Sequence, residues 1–529
     1  MYQINQKKRV IFEFLCLVCI VALAGYLRLA NLEKNPGWYS DEGTNIEIAK
    51  NLMEGKIQYY SINQSTLLVA RLPLFGLLTA AVFKIFGVGM LQIRAISAVL
   101  GLFSTILIYV SLRSIFFDKQ KTLPLLAALL YAVYPSAVIY NRMGFSYNLI
   151  TPLAILIFWG CYKYWQTKEH HWLVMTSIAA GLACAVDLMA FSLLIFVFIV
   201  LLLTNYKKIP LFLGIAILPF AIYSIFMIVT VPQAFIFDLQ FTFFRVQHVS
   251  ILEQVLNVFV NNVSILLKDR WMIFGLLGFL FIKPKRFGQY ALFFLLLPIL
   301  FLGRVLSLFG LSYYYLIPLF PFIAIGCAGF IEFCSIQTVK FLENASFRAL
   351  EKFIYLLNIK KMHTDLNSIS RFLSAIILST FVVPSIIFFG YLEKENITNG
   401  WQTTMDHLMI NVTDAKSTSQ FINQHVSPND LVIASPAVAW MYDCNHADFQ
   451  VSQAYSGNDT MHLPGDIPPE RFLFPSNYQV ARYIVVDPIW VNWAVEANAN
   501  IASMVQEVET WPLVWATEKI QIYANPLVN

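Results

Sequence analysis

The sequence predicts an all-α polytopic membrane protein that ends in a small α/β domain, and three observations lead to this prediction. The 529 residues are 58% hydrophobic and only 13% charged, with a mean hydropathy of +0.64, whereas soluble domains carry about 25% charged residues. Apolar runs long enough to cross a bilayer recur along most of the chain. From Glu393 to the end there are 15 acidic and 5 basic residues, against 16 acidic and 31 basic before it. A single soluble enzyme domain and a disordered chain are therefore both excluded.

The apolar runs define a membrane body, which we assign to residues 1–391, followed by a second domain at 392–529. The run at 171–186 is separated from the next only around Asp187, which predicts a tight hairpin between two helices. Twelve runs of spanning or nearly spanning length lie near residues 10–30, 66–86, 91–112, 122–140, 147–165, 171–186, 188–204, 209–231, 270–282, 288–304, 309–334 and 371–391.

The basic residues between the runs decide how many of them cross. If the basic cluster at 7–9 marks the cytoplasm and every run crosses, five basic loops fall outside, which inverts the positive-inside rule. The rule is restored if the run at 66–86, which contains Arg71 and Lys84, lies along the outer interface instead. We therefore predict eleven spans in the plasma membrane of a prokaryote, with the N-terminus in the cytoplasm and the acidic domain outside.

The acidic domain alternates helix and strand patterns. Residues 414–425 have helical periodicity, and residues 431–434, 483–486 and 520–523 are short apolar segments typical of strands. Cys444 is the one cysteine of this domain, so no disulfide can close within it. The pattern predicts an α/β domain held by a hydrophobic core, and its acidity argues against nucleic-acid binding.

The external loop after the first run, residues 31–66, contains a second helix pattern. Thr44 and Glu47 have the spacing of a capping box, apolar residues follow at helical intervals, and Gly55 supplies a stop. We interpret this segment as an amphipathic helix on the membrane surface.

Two adjacent carboxylates, Asp41 and Glu42, immediately precede that predicted helix start. A helix N-terminus favours negative charge, so a carboxylate there is ionised and oriented. Such a group can accept a proton in a reaction, although solvated loop acids and helix caps have the same residue pattern.

The loop resembles the first external loop of GT-C membrane glycosyltransferases, because Asp41-Glu42 is followed by an Ile-x-Ile-Ala-Lys-Asn-Leu-Met-Glu-Gly helix just after the first span. It is similar in particular to the protein O-mannosyltransferases and aminoarabinose transferases, which use polyprenyl-phosphate sugars. Further similar segments follow in the order Arg71-Leu72-Pro73-Leu74, Phe86-Gly87, Arg94, Tyr134-Pro135, Asn141-Arg142 and Tyr314-Tyr315-Leu316-Ile317-Pro318. The resemblance implies a GT-C fold and transfer of a sugar from a polyprenyl phosphate to a protein, glycolipid or glycan acceptor.

The resemblance also implies roles for individual residues. Asp41 would be the base that activates the acceptor, with Glu42 as a second catalytic acid beside it. The donor's phosphate and sugar would be bound by basic or phenolic side chains expected at the outer face, namely Arg71, Lys84, Arg142, Arg304 and Tyr315. Further candidate substrate contacts are Arg245, His248 and Asn148.

The sequence departs from the family pattern at two positions. Asn148 stands where many relatives carry a second acid, which makes a metal site less expected. We predict no cofactor, while a divalent metal stays open. Thr44 stands where relatives often carry an arginine, so the sugar cannot be inferred from them.

Several alternatives stay open from the sequence. Arg71 and Lys84 have the pattern of side chains that reach to lipid headgroups, and Tyr315 that of an aromatic belt. Arg245 and His248 are compatible with a solvated loop. For the whole chain, the alternatives are a lipid-linked sugar flippase or transporter and a non-catalytic relative that binds a partner.

Overall fold

The computed structural model describes residues 2–65, 72–116, 122–244, 269–305, 313–345, 376, 378–388 and 408–528. Three predicted site residues, Arg71, Arg245 and His248, lie outside these ranges. Helices make up most of the described chain up to residue 388, and a mixed sheet with helices follows, which confirms the predicted fold class.

The first part of the described chain consists mainly of helices, with one small hairpin after the second helix. The hairpin strands are β1 (Gln58–Tyr59) and β2 (Ile62–Asn63). The helices are α1 (Tyr2–Leu29), α2 (Ser40–Met53), α3 (Pro73–Phe86), α4 (Met90–Phe116), α5 (Leu123–Val133), α6 (Pro135–Asn141), α7 (Tyr147–Thr167), α8 (His170–Cys184), α9 (Phe191–Thr204), α10 (Ile209–Ala216), α11 (Leu218–Thr230), α12 (Pro232–Phe244), α13 (Arg270–Phe279), α14 (Lys285–Val305), α15 (Phe320–Ala345) and α16 (Leu378–Phe388). Short 3₁₀ helices lie at Leu188–Ala190, Tyr206–Lys208 and Tyr313–Leu319.

Several of these helices are long and apolar enough to cross a membrane. Among the described residues, Val10–Leu29, Met90–Phe116 and Tyr314–Gln337 qualify singly. Two broken pairs qualify together, α5 with α6 at an angle of 60° and the segment Tyr206–Ala216 with α11 at 42°. Pro135 opens α6, which explains that break, because proline cannot donate the hydrogen bond that a continuous helix needs. The chain is an integral membrane protein, and the count of eleven spans stays a prediction.

Helix α3 has the length expected of a helix that does not cross. Its 14 residues extend about 21 Å at 1.5 Å per residue, whereas the hydrocarbon core is about 30 Å thick. Its N-terminus is fixed to the α8–α9 loop, because Leu74 N–H donates to the Ala185 carbonyl at 3.2 Å. Asp187 lies in that loop, and α8 and α9 flank it as the predicted hairpin.

The C-terminal part is a small α/β domain, which we call the tail. Its five-stranded sheet has the order β4-β3-β5-β7-β6, with β3 parallel to β4 and β5, and β7 antiparallel to β5 and β6. The predicted helix and all three predicted strands are confirmed. The elements are α17 (Val412–His425), β3 (Leu431–Ile433), α18 (Pro436–Ala439), β4 (Asn445–Ala447), α19 (Phe449–Tyr455), β5 (Tyr483–Val486), α20 (Val495–Ala497), α21 (Ala499–Val508), β6 (Leu513–Ala516) and β7 (Gln521–Ala524), with 3₁₀ turns at Pro469–Arg471 and Tyr478–Val480 and a π turn at Ile489–Ala494.

The hydrophobic core of the membrane body continues into the tail without a break. The first external loop provides the connection, because Trp38 pairs with Ile410 through two backbone hydrogen bonds of 2.7 and 3.1 Å. The ring of Trp38 also packs on Trp440, with centroids 5.8 Å apart. The amino-acid composition therefore changes near residue 391, but the hydrophobic core is shared by both parts of the chain. The division into domains at this position stays a prediction.

Buried polar contacts add to this joint. Arg471 of the tail donates to both carboxylate oxygens of Asp238 in α12, at 2.7 and 3.3 Å, and to the carbonyls of Asn63 and Gln64 after the hairpin. Because a guanidinium and a carboxylate of this kind are stable in the interior only as a pair, they fix α12 and the first loop to the tail.

A further buried acid, Asp448, gives the joint a dependence on pH. Its Oδ2 accepts a hydrogen bond from the Tyr59 hydroxyl at 2.5 Å, and its Oδ1 accepts from Val451 N–H at 2.7 Å. Burial raises the pKa of Asp448 from 3.8 to about 6, although these hydrogen bonds oppose the rise. The folded state therefore holds this proton more tightly than the unfolded chain does. Protonated Asp448 contributes on the order of 3 kcal/mol to the free energy of unfolding. This contribution is complete below about pH 4 and is lost as the pH rises through about 6.

We expect Asp448→Asn to remove this part of the pH dependence. Asparagine can still accept the hydrogen bond from Val451 N–H at the start of α19, but it cannot ionise. Thermal unfolding in detergent at pH 4.5 and 7.5 measures it, and the variant should lose less stability than the wild type between the two values. Asp443→Asn, at an exposed acid of the same domain, is the matched control and should follow the wild type. Parallel curves for wild type and Asp448→Asn would contradict the assignment.

Candidate active site

Helix α2 starts a full turn earlier than the sequence pattern predicts, so Asp41 and Glu42 lie within its first turn. The side chain of Glu42 accepts a hydrogen bond from the N–H of Tyr39, the residue before the helix, at 3.3 Å. This contact closes one half of a capping box. The predicted box of Thr44 and Glu47 is wrong, because those residues already lie inside the helix.

The helix is buried rather than spread on the membrane surface. Nine of its fourteen residues are buried, including polar ones that have partners inside the protein. Asn45 Nδ2 donates to the Gly144 carbonyl at 2.8 Å, and Asn51 Nδ2 donates to Glu47 at 3.1 Å. The prediction of a surface helix is therefore wrong, because its polar residues bind protein groups instead of water. The predicted stop is confirmed, since Gly55 follows the helix with a φ of +76°.

Glu42 is bound by a buried arginine of α4. Nε and Nη2 of Arg94 donate to its two carboxylate oxygens at 2.7 and 2.6 Å, and both side chains are fully buried. Gly144 N–H donates to the same carboxylate at 2.7 Å. This is the bidentate form of an ion pair, which fixes both orientation and distance. The geometry gives Glu42 a structural role, and its catalytic role stays a prediction.

Arg94 extends the same contact to the loop that follows α1. Its Nη1 donates to the carbonyls of Leu32 and Glu33 at 3.0 and 3.2 Å, and its Nη2 also donates to the Gly37 carbonyl. The guanidinium of Arg94 therefore binds both α2 and the loop that leads from α1 to α2. Asp41, the neighbour of Glu42, takes its position from this arrangement.

Asp41 and Tyr315, which are 274 positions apart in the sequence, come together in the structure. Asp41 is partly exposed, and its carboxylate and that of Asp187 are both close enough to the phenol of Tyr315 for an electrostatic interaction. Asp187 lies at the N-cap of the 3₁₀ turn after α8, and its Oδ1 accepts from Met189 N–H at 2.9 Å. The sequence reasoning missed Asp187 as a site residue, although a lone acid between two apolar runs was a signal for it.

Tyr315 belongs to a cluster of aromatic rings. Phe145 stacks on Tyr314 with centroids 5.2 Å apart, and Tyr314 stacks on Tyr147 at 6.0 Å. Tyr147 contacts Tyr315 at 5.2 Å, and Tyr39 packs on the edge of Phe145 at 5.9 Å. The ring of Tyr315 is therefore packed against other aromatic residues of the protein.

Arg142 is held by the backbone at the end of α1. Its Nη1 donates to the Leu27 carbonyl at 2.7 Å, its Nη2 donates to the Ala30 carbonyl, and its Nε donates to the Asn35 carbonyl at 3.3 Å. Carbonyls at a helix C-terminus lack partners within the helix, and a cation there satisfies them. In the described structure Arg142 therefore closes α1, and its predicted contact with phosphate stays a prediction.

Asn148 belongs to a buried polar network that includes an arginine the sequence reasoning did not assign. Arg28 donates to the Asn141 side chain at 3.0 Å and to the carbonyls of Ala132 and Tyr131 at 2.9 and 3.1 Å. Asn141 in turn donates to Asn148 Oδ1 at 2.7 Å. The carbonyls belong to the end of α5, where Pro135 interrupts the helix. This places Asn148 in the protein interior, and its predicted substrate contact stays untested.

The other predicted donor-binding residues are less closely placed. Lys84 is exposed in the last turn of α3, and Arg304 lies in the last turn of α14. Arg71, Arg245 and His248 fall outside the described ranges. Within those ranges, no three His, Cys, Asp or Glu side chains are grouped so that they could hold a metal ion.

We expect Arg94→Ala to destabilise the protein by about 3–5 kcal/mol, because it leaves the Glu42 carboxylate buried without its countercharge. Chemical unfolding in detergent measures this loss. Lys56→Ala, which removes the exposed pair of Lys56 with Glu54 at 2.6 Å, is the control and should cost at most about 1 kcal/mol. Equal losses in the two variants would show that burial does not set the strength of the Arg94 pair.

Known proteins resemble this chain in part of its sequence and in its fold. Residues 70–235, about a third of the chain, match the family model described as dolichyl-phosphate-mannose-protein mannosyltransferase. No curated protein sequence matches the chain.

Two solved structures are similar to most of the chain. ArnT from Cupriavidus metallidurans bound to undecaprenyl phosphate aligns with 96% of this chain and 98% of its own, at 13% identity and a TM-score of 0.59. The archaeal oligosaccharyltransferase AglB from Archaeoglobus fulgidus, in complex with an inhibitory peptide and a dolichol-phosphate, aligns with 93% of this chain and 72% of its own, at 13% identity and a TM-score of 0.52. At these identities the likeness concerns the fold. The chain therefore has the fold of the GT-C superfamily of membrane glycosyltransferases, as the resemblance predicted.

Proposed function

We propose that the protein is a membrane glycosyltransferase that moves a sugar from a polyprenyl phosphate to an acceptor, with Asp41 as the base. The observation that carries the proposal is the position of Asp41. Asp41 is partly exposed in the first turn of α2 and close enough to the phenol of Tyr315 for an electrostatic interaction, whereas its neighbour Glu42 is fully buried in an ion pair with Arg94. Of the two adjacent acids, Asp41 is the one at a partly exposed position.

The proposed reaction is a displacement at the anomeric carbon of the sugar. Asp41 accepts the proton of the acceptor nucleophile as that atom forms its bond to the anomeric carbon. The bond from that carbon to the phosphate oxygen breaks, and polyprenyl phosphate leaves with the electron pair. Tyr315 is placed to donate a hydrogen bond to the sugar or the phosphate. Arg71, Lys84, Arg142 and Arg304 are the proposed cations for the leaving phosphate. We propose no metal or other cofactor for the reaction.

The donor class is supported by the fold. ArnT and AglB, which have the same fold, were solved with undecaprenyl phosphate and dolichol-phosphate. The matching family model is named for a dolichyl-phosphate-linked mannose donor. A donor with a polyprenyl tail also explains why an enzyme of this kind has a largely apolar body, since the tail dissolves in the bilayer. The proposal covers protein, glycolipid and glycan acceptors and does not select a sugar.

We expect Asp41→Asn to lower kcat by about 10²- to 10⁴-fold, the contribution of a general base, and to leave donor binding intact. The assay uses the purified protein in nanodiscs with a panel of polyprenyl-phosphate sugars, with and without a chelator. Glu54→Gln changes an exposed acid at the far end of the same loop and should leave kcat unchanged.

The result also separates the alternatives. Near-normal turnover by Asp41→Asn would eliminate it as the base. A wild-type protein that moves the sugar lipid between leaflets without transferring the sugar would be a flippase, and one that only binds it would be a non-catalytic relative. Loss of turnover in the chelator would overturn the metal-free proposal.

We propose further that the reaction takes place on the non-cytoplasmic face. The support is the positive-inside rule applied to the basic cluster at 7–9, which puts the loop after α1 outside. We expect a membrane-impermeant maleimide to label Glu54→Cys in intact cells and Lys207→Cys only after permeabilisation. Both positions are exposed, and the native chain measures the background. The opposite labelling pattern would place the site on the cytoplasmic face.

A further inference from the structure

The tail meets α2 one residue after Glu42 and two after Asp41. A Cβ atom at Gly43 would lie 1.7 Å from the carbonyl oxygen of Pro436 and 3.1 Å from the backbone N of Ala437. Real Cβ atoms do not approach an oxygen that closely, so the two backbones can touch only because residue 43 is glycine. The first residues of α18 in the tail therefore pack directly against the first turn of α2, which carries Asp41, the proposed base.

The same face of α2 continues the contact along the helix. Glu47 is four residues after Gly43, and its carboxylate lies 3.5 Å from Nε2 of His446 in β4. Lys50 is three residues further, and its Nζ lies 3.4 Å from the Trp440 carbonyl. Positions i, i+4 and i+7 lie on one side of a helix, so one whole side of α2 faces the tail.

Glu47 and His446 form a largely buried pair. His446 Nδ1 lies 2.8 Å from the Cys444 carbonyl and Nε2 faces Glu47, so both ring nitrogens meet groups that only accept hydrogen bonds. Burial opposes ionisation of Glu47, but His446, Lys50 and Asn51 together outweigh it, so the pKa of Glu47 is lowered below its ordinary value. The rings of Tyr60 and Tyr442 enclose the imidazole, with centroids 5.6 and 6.3 Å away.

The other side of α2 is bound to the membrane body. Glu42 holds Arg94, and Asn45, three residues later, donates to the Gly144 carbonyl at 2.8 Å. Asp41 lies at the end of a helix that is fixed from both sides, by α4 and its neighbours on one and by the tail on the other.

We infer that the tail is part of the catalytic apparatus and that Gly43 and His446 are positioning residues, which set where Asp41 stands relative to the acceptor. The inference rests on the proposed function. It assigns the tail a role beyond stability, because the helix that carries Asp41 is packed between the tail on one side and the membrane body on the other. A displacement of about 1 Å at a reacting group is enough to cost roughly 100-fold in rate.

The experiment compares Gly43→Ala with Gly214→Ala. The first places a methyl group against the Pro436 carbonyl, whereas nothing lies within 4 Å of a Cβ at Gly214 in α10. We expect Gly43→Ala to lower kcat by about tenfold or more, with less than a twofold change in the donor KM and in binding of polyprenyl phosphate. Gly214→Ala should match the wild type. A purely structural contact would lower the unfolding temperature and leave kcat of the folded fraction unchanged.

A second variant keeps the test decisive where Gly43→Ala fails to fold. His446→Gln removes the imidazole that faces Glu47 without adding volume, and we expect it to lower kcat while the donor KM stays constant. If Asp41→Asn is inactive but the folded Gly43→Ala or His446→Gln protein turns over within twofold of the wild type, the positioning role is wrong and the proposed function stands. If Asp41→Asn is active, the proposed function itself fails.

Discussion

The buried pair of Arg94 and Glu42 is the interaction on which the rest of the site depends. Two charges without water are stable only when each has its full set of partners, and here the partners come from α2, α4, the loop after α1 and the turn at Gly144. Any movement of one of these segments would leave a buried charge without a partner, so the segments hold one relative position. Asp41 is therefore carried on a rigid element although it lies in the connection between two membrane helices, and the proposed role of a base requires such rigidity, because its distance to the acceptor must be constant.

Two other buried arginines apply the same principle at helix ends. Arg142 satisfies carbonyls where α1 stops, and Arg28 satisfies carbonyls where α5 breaks before Pro135. In water such carbonyls would be hydrated, but at the edge of a bilayer or inside a bundle the protein must supply the donors. These arginines allow α1 and α5 to end inside the protein with their last carbonyls hydrogen-bonded. Arg28 and Arg142 thus have a structural task, which for Arg142 is in addition to the phosphate contact that the family resemblance implies.

Local features of this fold could be predicted from the sequence, and distant pairings could not. Periodicity identified the helix at 414–425, which the structure extends to Val412, and the three tail strands, and Gly55 marked the end of α2, because these signals depend on neighbouring residues. The start of α2 was missed because Glu42 caps it only while Arg94, 52 positions away, holds the carboxylate in place. The order of the family-like segments placed Asp41 and Tyr315 in one predicted site. It gave no indication that Asp187 also lies near the phenol of Tyr315. The role of Gly43 depends on Pro436, almost 400 residues later, and no local pattern reports such a contact.

The single hydrophobic core that runs from the membrane helices into the tail has a consequence for how the chain can change. A domain attached by a flexible linker can be exchanged, lost or duplicated while its neighbour stays intact. Here Trp38 and Ile410 share backbone hydrogen bonds, and Trp440 packs on the same ring, so substitutions on one side of the joint are felt on the other. Body and tail must therefore diversify together. A tail transplanted from a distant homologue would bring its own surface to a loop that fits a different one.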